Sequence, residues 1–358
     1  MSEVQFGFCL PIFAAPGPNL FRTPGFAEVD ATACMTMGRR ADELGYDSLW
    51  VADHLMLGKN DAILEGWTVL SALAGATSRA KLGMIHQAVL FRNPALAAKM
   101  TATLDRISSG RVIHFMDCGF SGREYIAYGL PWNDAIDERV EMLVEATELM
   151  LELWTADVPV TFEGAHYSTQ EALCNPKPIQ QPHPPIWFGE VNPNTLDACA
   201  RYGQGWNTTP VSLTELRRRI GLLREACDRK NRDFDELELS LETQLLVAPD
   251  LDAIRARLRD LAELAEAAAD EQRGQVQGFV SSYATDEDFK AFVSGASDAI
   301  PSRLAEDWVI GTPDQVESRL REYTDEGISH FMLWFMDAPN MAGLELFAES
   351  VVPRFERV

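Results

Sequence analysis

The chain has 358 residues, 46% of them hydrophobic, and a formal net charge of −23 at pH 7. Such an acidic chain lacks the excess of lysine and arginine that binds phosphate backbones, so a nucleic-acid partner is not expected. No apolar run approaches the roughly 18 residues of a membrane-spanning helix, and the first residues do not resemble a signal peptide. We therefore expect a soluble, cytoplasmic protein without a membrane partner.

Predicted strands and helices alternate along the chain. The first half predicts strands at 5–13, 48–53, 81–90 and 111–117, and helices at 29–45, 67–76, 94–107 and 134–154. The second half predicts strands at 186–189, 205–208, 237–247 and 330–335, and helices at 194–202, 213–231, 251–273, 313–327 and 341–352. Two segments, 155–184 and 251–307, interrupt this alternation and are predicted to be insertions.

This order of elements predicts the fold. Mostly apolar strands separated by helices favour a parallel sheet that is buried on both faces. The number of strands favours one α/β domain over residues 1–358, a single (β/α)8 TIM barrel with the insertions over its C-terminal face. An open dinucleotide-binding sheet is disfavoured because no GxGxxG motif follows a strand.

The second predicted strand ends in Asp53-His54. In barrels of this type the active site collects at the C-terminal ends of the strands, so His54 is the first catalytic candidate. An imidazole there can act as an acid or a base near neutral pH. The alternative is a structural histidine bonded to a loop carbonyl. Asp53 is the second candidate, better suited to organising the loop than to transferring protons.

Metal and thiol chemistry receive little support. The 6 cysteines are scattered without a CxxC pair, as is typical of a reducing compartment, and most are expected to be small buried hydrophobes. The 6 histidines form no HxH or HExxH group, so no metal site is predicted.

Five stretches follow one another over nearly the whole chain. They are residues 41–50 with Asp53-His54, Arg92-Asn93-Pro94 with residues 104–111, Arg123-Glu124-Tyr125, residues 185–189, and Gly311-Thr312-Pro313. In this order and spacing they resemble the bacterial luciferase-like family of flavin- or deazaflavin-dependent oxidoreductases. The resemblance implies a reduced flavin or deazaflavin in the mouth of the barrel, with His54 as the active-site histidine.

The resemblance also implies where the cofactor is held. The implied binding residues are Ile85, His86, Asp117, Cys118, Gly119, Gly189, Glu190 and Val191. At Ile85-His86 relatives have a bulge, sometimes with a non-proline cis peptide bond. From the residues alone, His86 is equally well a polar core residue, Cys118 a packed thiol, and the loop at 189–195 an ordinary capped turn. Glu190 is an unfavourable neighbour for a phosphate, and residues 115–118 are larger than is common in relatives.

The resemblance leaves the chemistry open. The first hypothesis is a monooxygenase that uses reduced FMN, supplied by a separate flavin reductase, to insert oxygen from O2 into a small organic substrate. The alternative is hydride transfer with an 8-hydroxy-5-deazaflavin coenzyme, whose acidic tail requires cations such as Arg123, Arg201 or Lys177. A third is a non-catalytic flavin-binding protein, which Asp53-His54 disfavours. The resemblance also implies a homodimer, as in other members of the family. The helix at 251–273 is a candidate lid.

Overall fold

A computed structural model describes residues 3–15, 22–23, 25–189, 191–209, 211–268 and 286–355. Parallel strands close into a barrel, with helices between them, because the seventh strand of the ring pairs with both the sixth and the eighth. The strands of the ring are β1 (Gln5–Cys9), β2 (Ser48–Ala52), β3 (Lys81–Ile85), β5 (Val112–Asp117), β8 (Ile186–Gly189), β9 (Gly205–Thr208), β10 (Glu238–Val247) and β12 (His330–Phe335). The predicted TIM barrel is therefore confirmed.

Helices follow most strands of the ring. They are α1 (Ala31–Leu44), α2 (Gly66–Ala76), α3 (Pro94–Ile107), α4 (Gly122–Ala127), α5 (Ile136–Thr155), α6 (Pro193–Tyr202), α7 (Leu213–Lys230), α8 (Leu251–Ala268), α9 (Glu287–Ser294), α10 (Ser302–Asp307), α11 (Pro313–Asp325) and α12 (Ala342–Ser350). Within the described part of the chain, none of them combines the length and the apolar character needed to cross a lipid bilayer.

Several elements were not predicted from the sequence, among them the helices α9 and α10. The segment at 155–184 contains an antiparallel hairpin of β6 (Val160–Glu163) and β7 (Ser168–Ala172). A short strand, β11 (Trp308–Gly311), pairs with the second half of β10, beyond the part of β10 that pairs with β9. The helix α4 has six residues, too few for a helical period to show in the sequence.

The predicted strand at 81–90 is interrupted. β3 ends at Ile85, and the two-residue β4 (Gln87–Ala88) continues beside β5. Gly83 pairs with Ile113 and Gln87 with Met116, so four steps on one strand match three on the other. This one-residue bulge contains a cis peptide bond between Ile85 and His86, as the family resemblance implied.

Aromatic side chains fill the interior of the barrel. Trp50 lies 5.3 Å from Trp187 and 6.3 Å from Phe115, measured between ring centroids. Glycines on neighbouring strands leave room for these rings. A Cβ atom on Gly83 would lie 2.6 Å from Cε3 of Trp50, and one on Gly205 would lie 2.6 Å from Cδ1 of Trp187. The interior is thus a packed core rather than a pore.

A polar network closes the N-terminal end of the barrel. Ser48, Glu238 and His330 are each the first residue of a strand. The Ser48 hydroxyl lies 2.7 Å from Nε2 of His330, and Nδ1 of His330 lies 2.8 Å from Oε1 of Glu238. This order imitates a hydrolytic triad, but Ser48 and His330 are fully buried and the Ser48 hydroxyl already accepts from Nε1 of Trp50. The network stabilises the end of the barrel opposite the active-site face.

The helix α8, within the segment predicted as a lid, packs against its neighbours through one face. Ile254, Leu258 and Leu261 are buried, and Nε of Arg255 donates to the carbonyl of Phe292 in α9. Residues 269–273 of the predicted helix lie outside the described residues. The buried face shows that α8 is more than a solvated charged helix.

The turn after β12 holds a buried carboxyl group, that of Asp337. Its Oδ2 accepts from the backbone of Gly343, and Arg257 of α8 donates to its backbone carbonyl. Its Oδ1 has no hydrogen-bond partner among the described residues. Burial raises the pKa of Asp337 to about 6, against the opposing effects of Gly343 and Arg257.

We expect Asp337→Asn to stabilise the protein at pH 8 by about 2 kcal/mol and to have little effect at pH 4. The folded state binds this proton more tightly than the unfolded state, so the contribution of Asp337 to stability is lost as pH rises through about 6. Urea denaturation at both pH values measures the difference. The exposed Asp325→Asn is the control, and an equal effect of Asp337→Asn at the two pH values would contradict this reasoning.

Candidate functional site at the barrel mouth

His54 lies just beyond the C-terminal end of β2, where the sequence placed it. Its Nδ1 is 2.8 Å from Oε1 of Glu124 in α4, and its side chain is about one-fifth exposed (21%). Oε2 of Glu124 accepts from the backbone of Leu55 and Met56, at 2.7 and 3.3 Å. Glu124 therefore fixes both the loop and the ring of His54, and it leaves Nε2 as the ring nitrogen available for proton exchange.

Asp53 has a different environment. Its carboxylate makes two hydrogen bonds with the guanidinium of Arg92, at 2.7 and 2.9 Å, and accepts from the backbone of Ala88. Arg92 also contacts Glu65 at 3.1 Å. Burial raises the pKa of Asp53 against the opposing effects of Arg92 and Ala88, and burial alone would lower the pKa of Arg92, but Asp53 and Glu65 outweigh it and raise that pKa. With both oxygens engaged, Asp53 is placed to hold the β2 and β3 loops together.

His86 follows the cis peptide bond and projects into the mouth. Its ring packs edge-on against Phe115, with centroids 4.5 Å apart, and its side chain is 22% exposed. Its Nδ1 is 3.9 Å from Oδ2 of Asp117, and its Nε2 is 3.8 Å from Oε2 of Glu242. The structure thus brings two predicted residues, His86 and Asp117, beside a carboxylate that was not predicted.

The remaining predicted cofactor residues have distinct surroundings. Oδ1 of Asp117 accepts from the backbone of Gly119, whose φ is 85°. Cys118 is buried at 8% exposure, and all of the cysteine side chains are buried and free of disulfides, as expected. Gly189 ends β8 beside Phe115, and Val191 precedes α6. Glu190 lies outside the described residues, so its predicted contact is not described.

Glu242 is the main residue that the sequence analysis missed. It lies in the middle of β10, faces the interior, and is 2% exposed. Its Oε1 accepts from Nε1 of Trp334 at 2.7 Å and pairs with Arg22 at 3.0 Å. A signal was present in the sequence, because Glu238, Ser240 and Glu242 alternate with leucines on this strand, as expected for a polar interior face.

The three cations considered for an acidic cofactor tail are separated. Arg123 is the second residue of α4, at the mouth, where it pairs with Asp61. Arg201 is in the last turn of α6 and pairs with Glu148. Lys177 donates to the carbonyl of Leu153 near the end of α5. Helices that follow parallel strands end at the opposite side of the barrel, so only Arg123 of these three is near the mouth.

The arrangement is chemically suited to moving protons beside a bound ring system. It combines an imidazole held by a buried carboxylate, a second partly exposed imidazole, and a buried carboxylate oxygen without a described partner. Such groups can act as general acids or bases when a substrate reaches them.

Comparisons with known proteins agree with this description. The sequence model of a family described as luciferase-like monooxygenase matches residues 4–330. An F420-dependent glucose-6-phosphate dehydrogenase of Amycolatopsis mediterranei is 27% identical over 322 residues, covering 88% of this chain and 92% of that protein. A protein of the same name from Microbacterium testaceum is 27% identical over 330 residues, covering 90% and 93%.

Solved structures show the same fold. The long-chain alkane monooxygenase LadA superposes with a TM-score of 0.76 at 15% identity, covering 99% of this chain and 91% of that chain. An F420-dependent secondary alcohol dehydrogenase in complex with an F420-acetone adduct superposes with a TM-score of 0.73 at 22% identity, covering 99% and 100%. At these identities the likeness concerns the fold. Because the family match itself runs from the first strand to the start of the last, the chain is an enzyme that belongs to the luciferase-like monooxygenase family.

Proposed function

We propose that the protein is a deazaflavin-dependent oxidoreductase, which transfers a hydride between the cofactor and the carbinol carbon of an alcohol or the corresponding carbonyl compound. The two relatives from Amycolatopsis and Microbacterium, matched over about nine-tenths of both chains, support this proposal because both are named as F420-dependent dehydrogenases. Coenzyme F420 is a deazaflavin. The proposal reverses the order of the two hypotheses from the sequence, in which reduced FMN and oxygen insertion came first.

The observation that carries the proposal is the His54–Glu124 pair. Oxidation of an alcohol releases one proton for each hydride, so the reaction needs a positioned acceptor. His54 is held through Nδ1 at 2.8 Å, so its Nε2 is free of that contact and is directed away from Glu124. In the reverse direction the same nitrogen would return the proton to the carbonyl oxygen.

The polarity of the mouth also favours hydride transfer over oxygen insertion. Oxygen-activating flavin chemistry is protected by excluding water from an apolar site. Here His54, His86 and Asp117 lie at or just beyond the C-terminal ends of strands, Glu242 lies 3.8 Å from His86, and the two histidines are each about one-fifth exposed. Ionisable groups in this position suit a reaction that releases or consumes protons.

The described residues fit the cofactor in kind. The exposed edges of His54 and His86 lie beyond the ends of their strands, where the family resemblance implies a ring. The bulge at Ile85–His86 would support the ring, and the loop with Gly189 and Val191 before α6 would hold its side chain. When bound, the deazaflavin supplies a site that accepts or donates hydride without using oxygen. Arg123 would contact its acidic tail.

The decisive experiment is an anaerobic titration of the purified protein with oxidised deazaflavin and, separately, with reduced FMN. We expect tighter binding of the deazaflavin, loss of its absorbance when an alcohol is added, and no change in rate when oxygen is admitted. Tighter binding of reduced FMN, with oxygen consumed and incorporated into a substrate, would instead establish the monooxygenase hypothesis. Hydride exchange with a free alcohol needs no flavin reductase, so adding one should not alter the rate.

The homodimer stays a prediction, which a measurement of molecular mass by light scattering tests.

A further inference from the structure

The carboxyl group of Glu242 is half satisfied. Oε1 accepts from Trp334 and pairs with Arg22, whereas Oε2 has no hydrogen-bond partner among the described residues. The side chain is 2% exposed, so almost none of its surface is in contact with bulk water. A buried carboxylate oxygen without a partner is costly, and a ligand group that donates to it would remove that cost.

The position of His86 defines the group that fits. Nε2 of His86 lies 3.8 Å from Oε2 of Glu242, too far for a direct hydrogen bond. A single oxygen atom placed about 2.8 Å from both atoms would complete two normal hydrogen bonds. His86 is 22% exposed, so one of the two partners is open to solvent.

The two partners, Glu242 and His86, require that this oxygen atom both donates and accepts a hydrogen bond. An ionised Glu242 carboxylate accepts hydrogen bonds and cannot donate them. Nε2 of His86, in contrast, donates a hydrogen bond when it carries the proton. A hydroxyl group both donates and accepts. An ammonium group has no lone pair for His86, and a phosphate dianion has no proton for Glu242 and is repelled by Glu242 and Asp117.

We propose that Glu242 and His86 form a subsite for a non-reacting hydroxyl group of the substrate, adjacent to the carbinol that is oxidised. The substrate class is therefore unphosphorylated vicinal diols and polyols. This inference rests on the proposed function and adds specificity to it: His54 serves the reacting hydroxyl, and the Glu242–His86 subsite binds its neighbour. The F420-dependent relatives are named for a sugar phosphate, so the subsite predicts a departure from their substrate.

Four small alcohols that share one reacting group test the subsite. They are 2-propanol, 1,2-propanediol, 1-amino-2-propanol and the 1-phosphate of 1,2-propanediol. We expect kcat/KM for the diol to exceed that for 2-propanol by about 10- to 100-fold, the value of a hydrogen bond to a charged group. The same compounds are titrated into the protein holding oxidised deazaflavin, so that binding is measured even where turnover is not detected.

The variant Glu242→Gln is expected to reduce the preference for the diol to within about threefold of unity, since its amide offers Trp334 an oxygen but offers the diol a donor in place of an acceptor. A purely structural defect would affect 2-propanol and the diol alike. Glu238→Gln, four residues earlier on the same strand and in the closed end of the barrel, is the matched control and should keep the diol preference.

Several results would overturn the subsite. They are a wild-type protein that does not prefer the diol in turnover or in binding, one that prefers the amine or the phosphate, and a Glu242→Gln variant that keeps the diol preference. Failure to bind deazaflavin would refute the proposed function separately. The diol titration is then made with FMN bound, and a missing diol preference there refutes the subsite too.

Discussion

Replacing His54 by alanine is expected to lower the rate constant for hydride transfer from an alcohol to bound deazaflavin by about 100- to 10,000-fold, the usual contribution of a general acid–base group. The ring is partly exposed at the end of β2 and held by Glu124, so its loss removes a proton acceptor without opening the packed interior. Stopped-flow measurement of deazaflavin absorbance under single-turnover conditions gives this rate directly. Binding of the cofactor should change much less.

Glu124→Gln separates positioning from chemistry. The amide keeps an acceptor for the backbone of Leu55 and Met56 but removes the charge beside Nδ1 of His54. We expect a smaller loss than for His54→Ala, and we expect the double variant to lose little more than His54→Ala alone, because Glu124 acts through His54.

His166→Ala is the control for this series, since His166 precedes β7 in the hairpin and its Nε2 lies 3.9 Å from Glu141. It should leave the rate unchanged. Additive losses in His54 and Glu124 would show that the two residues act independently. If the His54→Ala variant kept the wild-type rate, the proton acceptor would have to be another residue in the mouth.

The sequence was sufficient for the elements that repeat a period and for residues at strand ends. The apolar strands and the helices between them predicted the barrel, and Asp53-His54 marked the mouth because a strand ends there. Strand pairing then brings distant residues together in ways that local patterns do not record. Glu124 reaches His54 across 70 positions of the chain, and Arg22 pairs with Glu242 from a stretch of sequence rich in glycine and proline.

Glu242 illustrates a pattern that was present and not used. A strand of a closed barrel has one face toward the helices and one toward the interior, and apolar side chains usually fill both. On β10 the interior face is polar at Glu238, Ser240 and Glu242. The pattern does not reveal that Glu238 is paired with His330 at the closed end, while Oε2 of Glu242 lacks a hydrogen-bond partner in the described part of the chain. That distinction depends on the register between strands.

The interior rings make the barrel sensitive to a single methyl group. Trp50 is fully buried and lies against Trp187, Phe115 and His330. Its six-membered ring occupies the space beside Gly83 on the neighbouring strand, where β2 and β3 pair Trp50 with Gly83 directly. Because the ring is enclosed on all sides, it has no open volume into which to move.

Gly83→Ala is therefore expected to destabilise the protein by about 3 kcal/mol, the upper part of the range for overpacking a core. The added Cβ would lie 2.6 Å from Cε3 of Trp50, so the ring or the strand must shift. Urea denaturation followed by circular dichroism gives the free energy of unfolding. Gly75→Ala in α2 is the control, because a Cβ there meets nothing within 4 Å, and alanine should stabilise the helix by up to about 1 kcal/mol.

A second substitution tests whether Trp50 causes the loss. Trp50→Phe removes the outer part of the indole and its hydrogen bond to Ser48, so alone it is destabilising. Combined with Gly83→Ala, it leaves space for the new methyl group, and the double variant should be more stable than the sum of the two single losses predicts. Strict additivity would mean that the alanine is accommodated by movement of the strand rather than opposed by the ring. A Gly83→Ala protein as stable as the wild type would show that the interior is less tightly packed than these distances require.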